Sequence, residues 1–185
     1  MILDRLVLKN FKRFRNAEIL FKDGITGVLG NNGTGKSSLY DYFKTKDEIL
    51  CWYFQDDMDD MIAIACSIDE QSLSAIEKLH RILHQQLERM LGNKAFYLKF
   101  YAELQRLGGE SRQRIRLKRH AYQDLLRGIV EQGIREGAFR PVNALLATHI
   151  LQMALMPATF TSRPVGTPDE MLEEAFSLFL QGVQA

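Results

Sequence analysis

The chain has 185 residues, 46% of them hydrophobic and 25% charged, and a formal charge of only +1. That composition is globular, no apolar run reaches the roughly 20 residues that cross a bilayer, and the N-terminus lacks a signal-peptide pattern. A membrane partner is therefore excluded, and a cytoplasmic protein is expected. The near-neutral total hides a basic front: residues 1–46 carry nine Lys and Arg against four acids, which suits a polyanion such as a nucleotide or double-stranded DNA. Cys51 and Cys66 have no CxxC spacing and no His at ligand distance in sequence, so both are expected reduced and buried.

In chain order, Ile2–Leu8 is apolar and partly alternating and reads as a strand. Asn10–Phe14 turns the chain, Ala17–Phe21 returns it, Asp23-Gly24 makes the next turn, and Ile25–Leu29 is a buried strand. This last strand runs into Gly30-Asn31-Asn32-Gly33-Thr34-Gly35-Lys36-Ser37, which fits the phosphate-loop pattern G-x-x-x-x-G-K-[ST] at every fixed position. Backbone N–H groups around Asn32, Gly33 and Gly35 can curl round an anion. Lys36 can reach terminal phosphates, with Ser38 beside them, and the Ser37 hydroxyl can hold Mg²⁺. ATP with Mg²⁺ is the cofactor pair this motif would take.

An ATPase of this type also needs further parallel strands and a carboxylate at a strand end. Met61–Glu70 and Leu107–Glu110 imitate the missing carboxylate and signature motifs, but in reversed order, and nothing after residue 45 alternates like a strand. Catalytic hydrolysis is not expected, and the chain is read as a non-enzyme with no resident metal.

From Ser37 onward the pattern is helical. Thr45-Lys46-Asp47-Glu48 is a capping box that starts a helix near Lys46 and limits the preceding one to about Ser37–Phe43. Ile49, Leu50, Tyr53, Phe54 and Met61 share a face, while Asp56, Asp57, Asp59 and Asp60 are expected on a solvated one. Ser72–Leu91 forms the next helix. It carries His80 and His84 at i, i+4, a spacing that binds zinc, but with no third ligand evident they read as surface histidines.

Lys94–Leu107 is short and aromatic, with Phe96, Tyr97, Phe100 and Tyr101 expected as core ahead of a ligand cage. Glu110–Glu136 buries a line from Ile115 to Ile134. Its basic first half (Arg112, Arg114, Arg116, Lys118, Arg119) reads as a solvated face ahead of a second nucleic-acid patch. Asn143–Met156 is an apolar helix ended or kinked by Pro157. Thr167-Pro168-Asp169-Glu170 opens the last helix with a Thr cap, Pro at the first position and acids at the positive end of the dipole. Two late apolar helices suggest a homodimer through the C-terminal helices, closing a four-helix bundle.

Two resemblances follow from these motifs. LKNFKRF, the DGIT turn and GNNGTGKSSL resemble the opening of the SMC, RecF and RecN-like ATPases over roughly the first fifth of the chain. SSLYDYFKTKDEIL, GIREGAFRPVNALLA and PDEMLEEAFSLFLQGV resemble the TetR/AcrR family over about residues 37–185. The second resemblance implies a mainly α fold: a helical ligand-binding and dimerisation body, preceded by a short β-strand and phosphate-loop segment in place of the first helices of the DNA-binding head. It further implies that Tyr40, Tyr42 and Lys46 contact DNA phosphates. Ser37, Ser38 and Leu39 would open the groove-facing helix, with Lys44 in the same DNA-facing set.

The chain therefore divides as residues 1–36 (strands and phosphate loop), 37–50 (helix-turn-helix remnant) and 51–185 (ligand-binding and dimerisation body). The leading expectation is a homodimeric regulator of TetR type with an altered DNA head, answering to a small-molecule effector whose identity the sequence does not give. The alternatives are an ATP- and Mg-binding protein of SMC/RecF type, and a helical dimerisation domain with a vestigial front.

Overall fold

The computed structural model describes the backbone of residues 5–11, 14–22 and 24–30, and residues 45–184 with their side chains, Lys46 excepted. The front is a three-stranded antiparallel meander of β1 (Arg5–Phe11), β2 (Phe14–Lys22) and β3 (Gly24–Gly30) in the order β1-β2-β3. Arg5 pairs with Leu20 and Phe11 with Phe14 in the first ladder; Ala17 pairs with Gly30 in the second, which slips once between Leu20 and Phe21. The expected strands are present, shifted a few residues at their ends. All pairing is antiparallel, and β3 stops at the first glycine of the loop motif.

The body is helical: α1 (Lys46–Asp69), α2 (Ala75–Gly92), α3 (Lys94–Glu103), α4 (Gly109–Arg135), α5 (Ala144–Met153), α6 (Leu155–Phe160) and α7 (Pro168–Val183), with a 3₁₀ turn at Leu104–Arg106. The helices α1, α2, α5 and α7 begin where a side chain satisfies a free backbone donor. Thr45 accepts from the Glu48 N–H, and full capping boxes, Ser74 with Glu77 and Thr167 with Glu170, start α2 and α7. Those boxes hold the carboxyls of Glu77 and Glu170 below their usual range, through hydrogen bonds from Ser74 and Thr167.

The end of α4 is built just as locally. Gly137 takes a positive φ of 75°. The N–H of Ala138 reaches Gly133 O and that of Gly137 reaches Ile134 O, a Schellman stop. The turn folds Phe139, 1% exposed, onto Gly133, where a Cβ would stand 2.3 Å from the ring. Arg140 then donates from its backbone to Val183 O and from its guanidinium to Gly182 O, supplying positive charge at the C-terminus of α7.

The long helices α1 and α4 pack along each other with α2 against both, and α5 to α7 close the other side. Leu79, Leu83 and Leu87 of α2 meet Ile115, Leu126 and Ile129 of α4 in the core. Lys78 is buried but paired, with Asp69 at 2.9 Å and Gln132 at 3.2 Å.

Three expectations need correction. The helix expected over residues 143–156 breaks after Met153, because Pro157 has no N–H to donate to the Met153 carbonyl; Pro157 sits instead in the first turn of α6. Cys51 is buried, but Cys66 is exposed. Asp57 does not share the solvated face of its neighbours: it is 3% exposed. The stretches that imitated ATPase motifs are helical, Met61–Asp69 within α1 and Gly109-Glu110 at the start of α4. No described helix is long and apolar enough to cross a membrane.

Candidate functional site

A partly open cavity of about 380 Å³ lies among α1 to α6, within the size range of small-molecule sites. Its wall is soft and aromatic: Met58, Met61, Met90, Met153 and Met156 with Phe54, Tyr97, Tyr101 and Tyr122. Methionine side chains bend to fit irregular apolar ligands. The polar groups are few and placed. Tyr122 donates to Gln86 Oε1 at 2.9 Å, Gln123 donates to Gln152 at 3.2 Å, and Arg119 and His149 stand at the rim. Burial pushes the Tyr122 and Tyr101 phenols up, so both stay neutral donors.

The cavity wall is fixed by a charged tie behind it. Asp57 of α1 accepts from Arg89 Nε of α2 at 2.5 Å and from the Tyr97 hydroxyl of α3. Arg89 also reaches Asp60 at 2.6 Å. Burial works against the Arg89 charge, but the two carboxylates more than offset it and hold its pKa above the ordinary value; burial and the Asp57 charge together raise that of Tyr97. Phe100 stacks on Phe54 at 4.0 Å, so α3 serves as core on one side and cavity wall on the other.

Beside the cavity, Arg112, Arg116 and Arg119 line a second pocket of about 420 Å³, with Gln105 and Gln113. These arginines recur at i, i+4 and i+7 on one face of α4. Arg119 belongs to both pockets. Lys118 points elsewhere and pairs with Asp59 of α1. The arginines of the basic run are exposed, as expected of a solvated face, and three of them also border this open surface pocket.

On α2, His80 and His84 do find a third group. Both Nε2 atoms lie against Glu173 Oε1 of α7, at 2.8 and 2.5 Å, and His84 Nδ1 is 3.7 Å from Asp169. Glu173 lies 89 residues from His84 in sequence, which no spacing rule reveals. Burial tends to raise the Glu173 carboxyl, yet the bonds from His84 and His80 carry it below its usual range.

The DNA-facing set Ser37, Ser38, Leu39, Tyr40, Tyr42 and Lys44 lies outside the described residues, as do the nucleotide set Asn32, Gly33, Gly35, Lys36, Ser37 and Ser38 and the Ser37 position for Mg²⁺. Lys46 is placed only as the first residue of α1.

Comparison with known proteins matches the front and the body of the chain to different families. The pattern of the family described as tetracyclin repressor-like, C-terminal domain, matches residues 72–183, and that of an AAA domain matches residues 5–45. The fatty acid metabolism regulator protein of Bacillus subtilis is 27% identical over 116 residues, 63% of this chain and 60% of the relative. The DNA double-strand break repair Rad50 ATPase of Methanococcus maripaludis is 45% identical over 40 residues, 22% of this chain and only 4% of the relative. The fold is similar to that of the transcriptional regulator FadR from Bacillus subtilis, solved in complex with stearoyl-CoA. That likeness has a TM-score of 0.70 and 23% identity, and covers 82% of this chain and 84% of that one.

Replacing Asp57 by Ala would deprive the Tyr97 hydroxyl of its carboxylate and leave Arg89 with Asp60 alone. Breaking a buried pair costs about 3–5 kcal/mol, and Arg89 keeps a quarter of its side chain in solvent, so a loss near the lower end is expected in urea unfolding. A loss under about 1 kcal/mol, the worth of an exposed pair, would show that the tie is not structural.

Proposed function

The chain belongs to the tetracyclin repressor-like family through its C-terminal domain, and from that premise we propose that it is a transcriptional regulator whose effector is a long-chain acyl thioester with a phosphate-bearing headgroup, of acyl-CoA type. One observation carries this reading: Arg119 joins a methionine-lined apolar cavity to an arginine-lined pocket on the same helix. An acyl chain suits the first and gains from leaving water. Phosphates suit the second, where guanidinium groups bind them in a fixed fork. The similarity to a fatty acid metabolism regulator, and to a fold solved with stearoyl-CoA, supports the same ligand class. No catalytic step is part of this role.

The regulator would act as a homodimer. Leu145, Leu146, Ile150 and Met153 of α5 and Leu178 of α7 are exposed, and a groove of about 450 Å³ runs between the two helices past Leu146, Ile150 and Leu178. A second copy of the chain would cover this face and close a four-helix bundle. Residues 37–50 would then form the DNA-reading remnant and 51–185 the effector body. Effector binding would shift α1, which starts at the end of that remnant, and so change affinity for duplex DNA. A second reading is ATP and Mg²⁺ binding at the loop after β3, favoured by the 45% identity to Rad50 over the front 40 residues.

Stearoyl-CoA titrated by calorimetry is expected to bind more tightly than stearate or free CoA, and Arg119→Ala to weaken it about tenfold, the loss of one charged hydrogen bond. Equal affinity for stearate and stearoyl-CoA would remove the headgroup from the proposal. Leu146→Glu is expected to sediment as a monomer; an unchanged dimer places the interface elsewhere. Paired titrations with labelled duplex DNA and with ATP plus Mg²⁺ separate the two readings of the front. DNA binding weakened by Tyr42→Ala supports the regulator, whereas ATP binding abolished by Lys36→Ala without DNA binding supports the second reading.

A further inference from the structure

The geometry points to a divalent transition-metal site formed by His80 and His84 of α2 and Glu173 of α7, independent of the effector cavity. The three groups offer ligand atoms that all lie within 4.8 Å of one another. Two imidazoles one helical turn apart and a carboxylate from a facing helix form a zinc-type donor set of two nitrogens and one oxygen. With metal–ligand bonds of about 2.0–2.1 Å, tetrahedral donors stand about 3.3 Å apart. Glu173 Oε1 is now 2.8 Å from His80 Nε2 and 2.5 Å from His84 Nε2. To admit an ion, Glu173 Oε1 has to withdraw by less than about 1 Å and the widest donor pair, no more than 4.8 Å apart, has to close toward that spacing; the Glu173 side chain is half exposed and free to adjust.

The surroundings orient the histidines for this role. Asp169, one turn before Glu173 on α7, faces His84 Nδ1 at 3.7 Å. That separation is too long for a hydrogen bond, but on metal binding a proton moved to Nδ1 would face this carboxylate and leave the Nε2 lone pair to the ion. The His80 ring rests on Phe176 at 5.2 Å, and the two imidazoles lie 4.6 Å apart. The fourth position opens into a cleft of about 770 Å³ walled by Ile64 and Ile68 of α1, with Arg81 at its edge, where water or another small donor completes the shell. The all-nitrogen-and-oxygen set favours Zn²⁺, Ni²⁺ or Co²⁺ over Mg²⁺, which prefers oxygen donors.

A metal there would bridge α2 to α7 at the exposed edge of their contact, beside Phe176. The experiment uses the full chain stripped with EDTA, titrated with ZnCl₂ and MgCl₂ by calorimetry, with Co²⁺ absorption reporting the donor geometry. One Zn²⁺ per chain, tetrahedral Co²⁺ bands, a raised Tm and no response to Mg²⁺ are expected. His84→Gln and Glu173→Gln should each weaken Zn²⁺ about tenfold or more. Both side chains are partly exposed, so the metal-free Tm should change little and shows that each variant folds. Absence of saturable Zn²⁺ binding to the wild type, or a smaller loss in either folded variant, overturns the site.

Discussion

Asp57 is the point on which the helical body depends. A carboxylate this deep survives only with partners that replace its water, and its partners come from two other helices: Arg89 of α2 and Tyr97 of α3. The three helices are therefore registered by one charge, and Tyr97 is presented to the cavity with its hydroxyl already engaged. Because α1 begins at Lys46, inside the segment proposed to read DNA, a displacement of Asp57 along its helix axis cannot occur without either breaking this tie or carrying α2 and α3 along. An apolar residue at this position would bury as well but would tolerate sliding. A charge with directed partners does not.

α2 faces both the methionine-lined cavity and the histidine cluster. Gln86 and Met90 line the cavity, while His80 and His84, on another face and nearer the N-terminus, meet α7. Leu79, Leu83 and Leu87 fill the space between and are essentially without solvent contact. Close-packed side chains do not absorb a shift gradually, so a clamp between α2 and α7 bears on the same rigid rod that lines the cavity. Any coupling between the two sites would travel through this helix as a unit.

Much of the fold was legible because it is written locally. Ser74 with Glu77, Thr167 with Glu170, and Gly137 after Arg135 each satisfy backbone groups within a few residues, and such signals survive without knowledge of packing. The strands of the front were legible from alternation and turn residues, and their antiparallel order from the short connections between them. What escaped depended on distant partners. Four aspartates on one helix look alike until Arg89 and Tyr97 single out Asp57. The His pair looked incomplete until α7 brought Glu173 beside it. The arginine row of α4 is solvated as its sequence suggests, but that it borders a surface pocket with Leu104 and Gln105 showed only in the folded chain.

The charge arrangement of α4 also limits what kind of ligand the body can take. Arg112, Arg116 and Arg119 gather on one side, and the acids of α1 that could neutralise them are committed elsewhere: Asp57 and Asp60 to Arg89, Asp59 to Lys118. Three like charges within two helical turns repel one another, a cost that solvent reduces and a bound anion removes. The neighbouring cavity carries no acidic side chain among its lining residues and offers mainly methyl, thioether and ring surface. A purely apolar ligand would leave the arginines unanswered, and a purely ionic one would leave the cavity wet. An amphiphile with an anionic head satisfies both, and the single side chain shared by the two pockets, Arg119, marks where its head and tail would join.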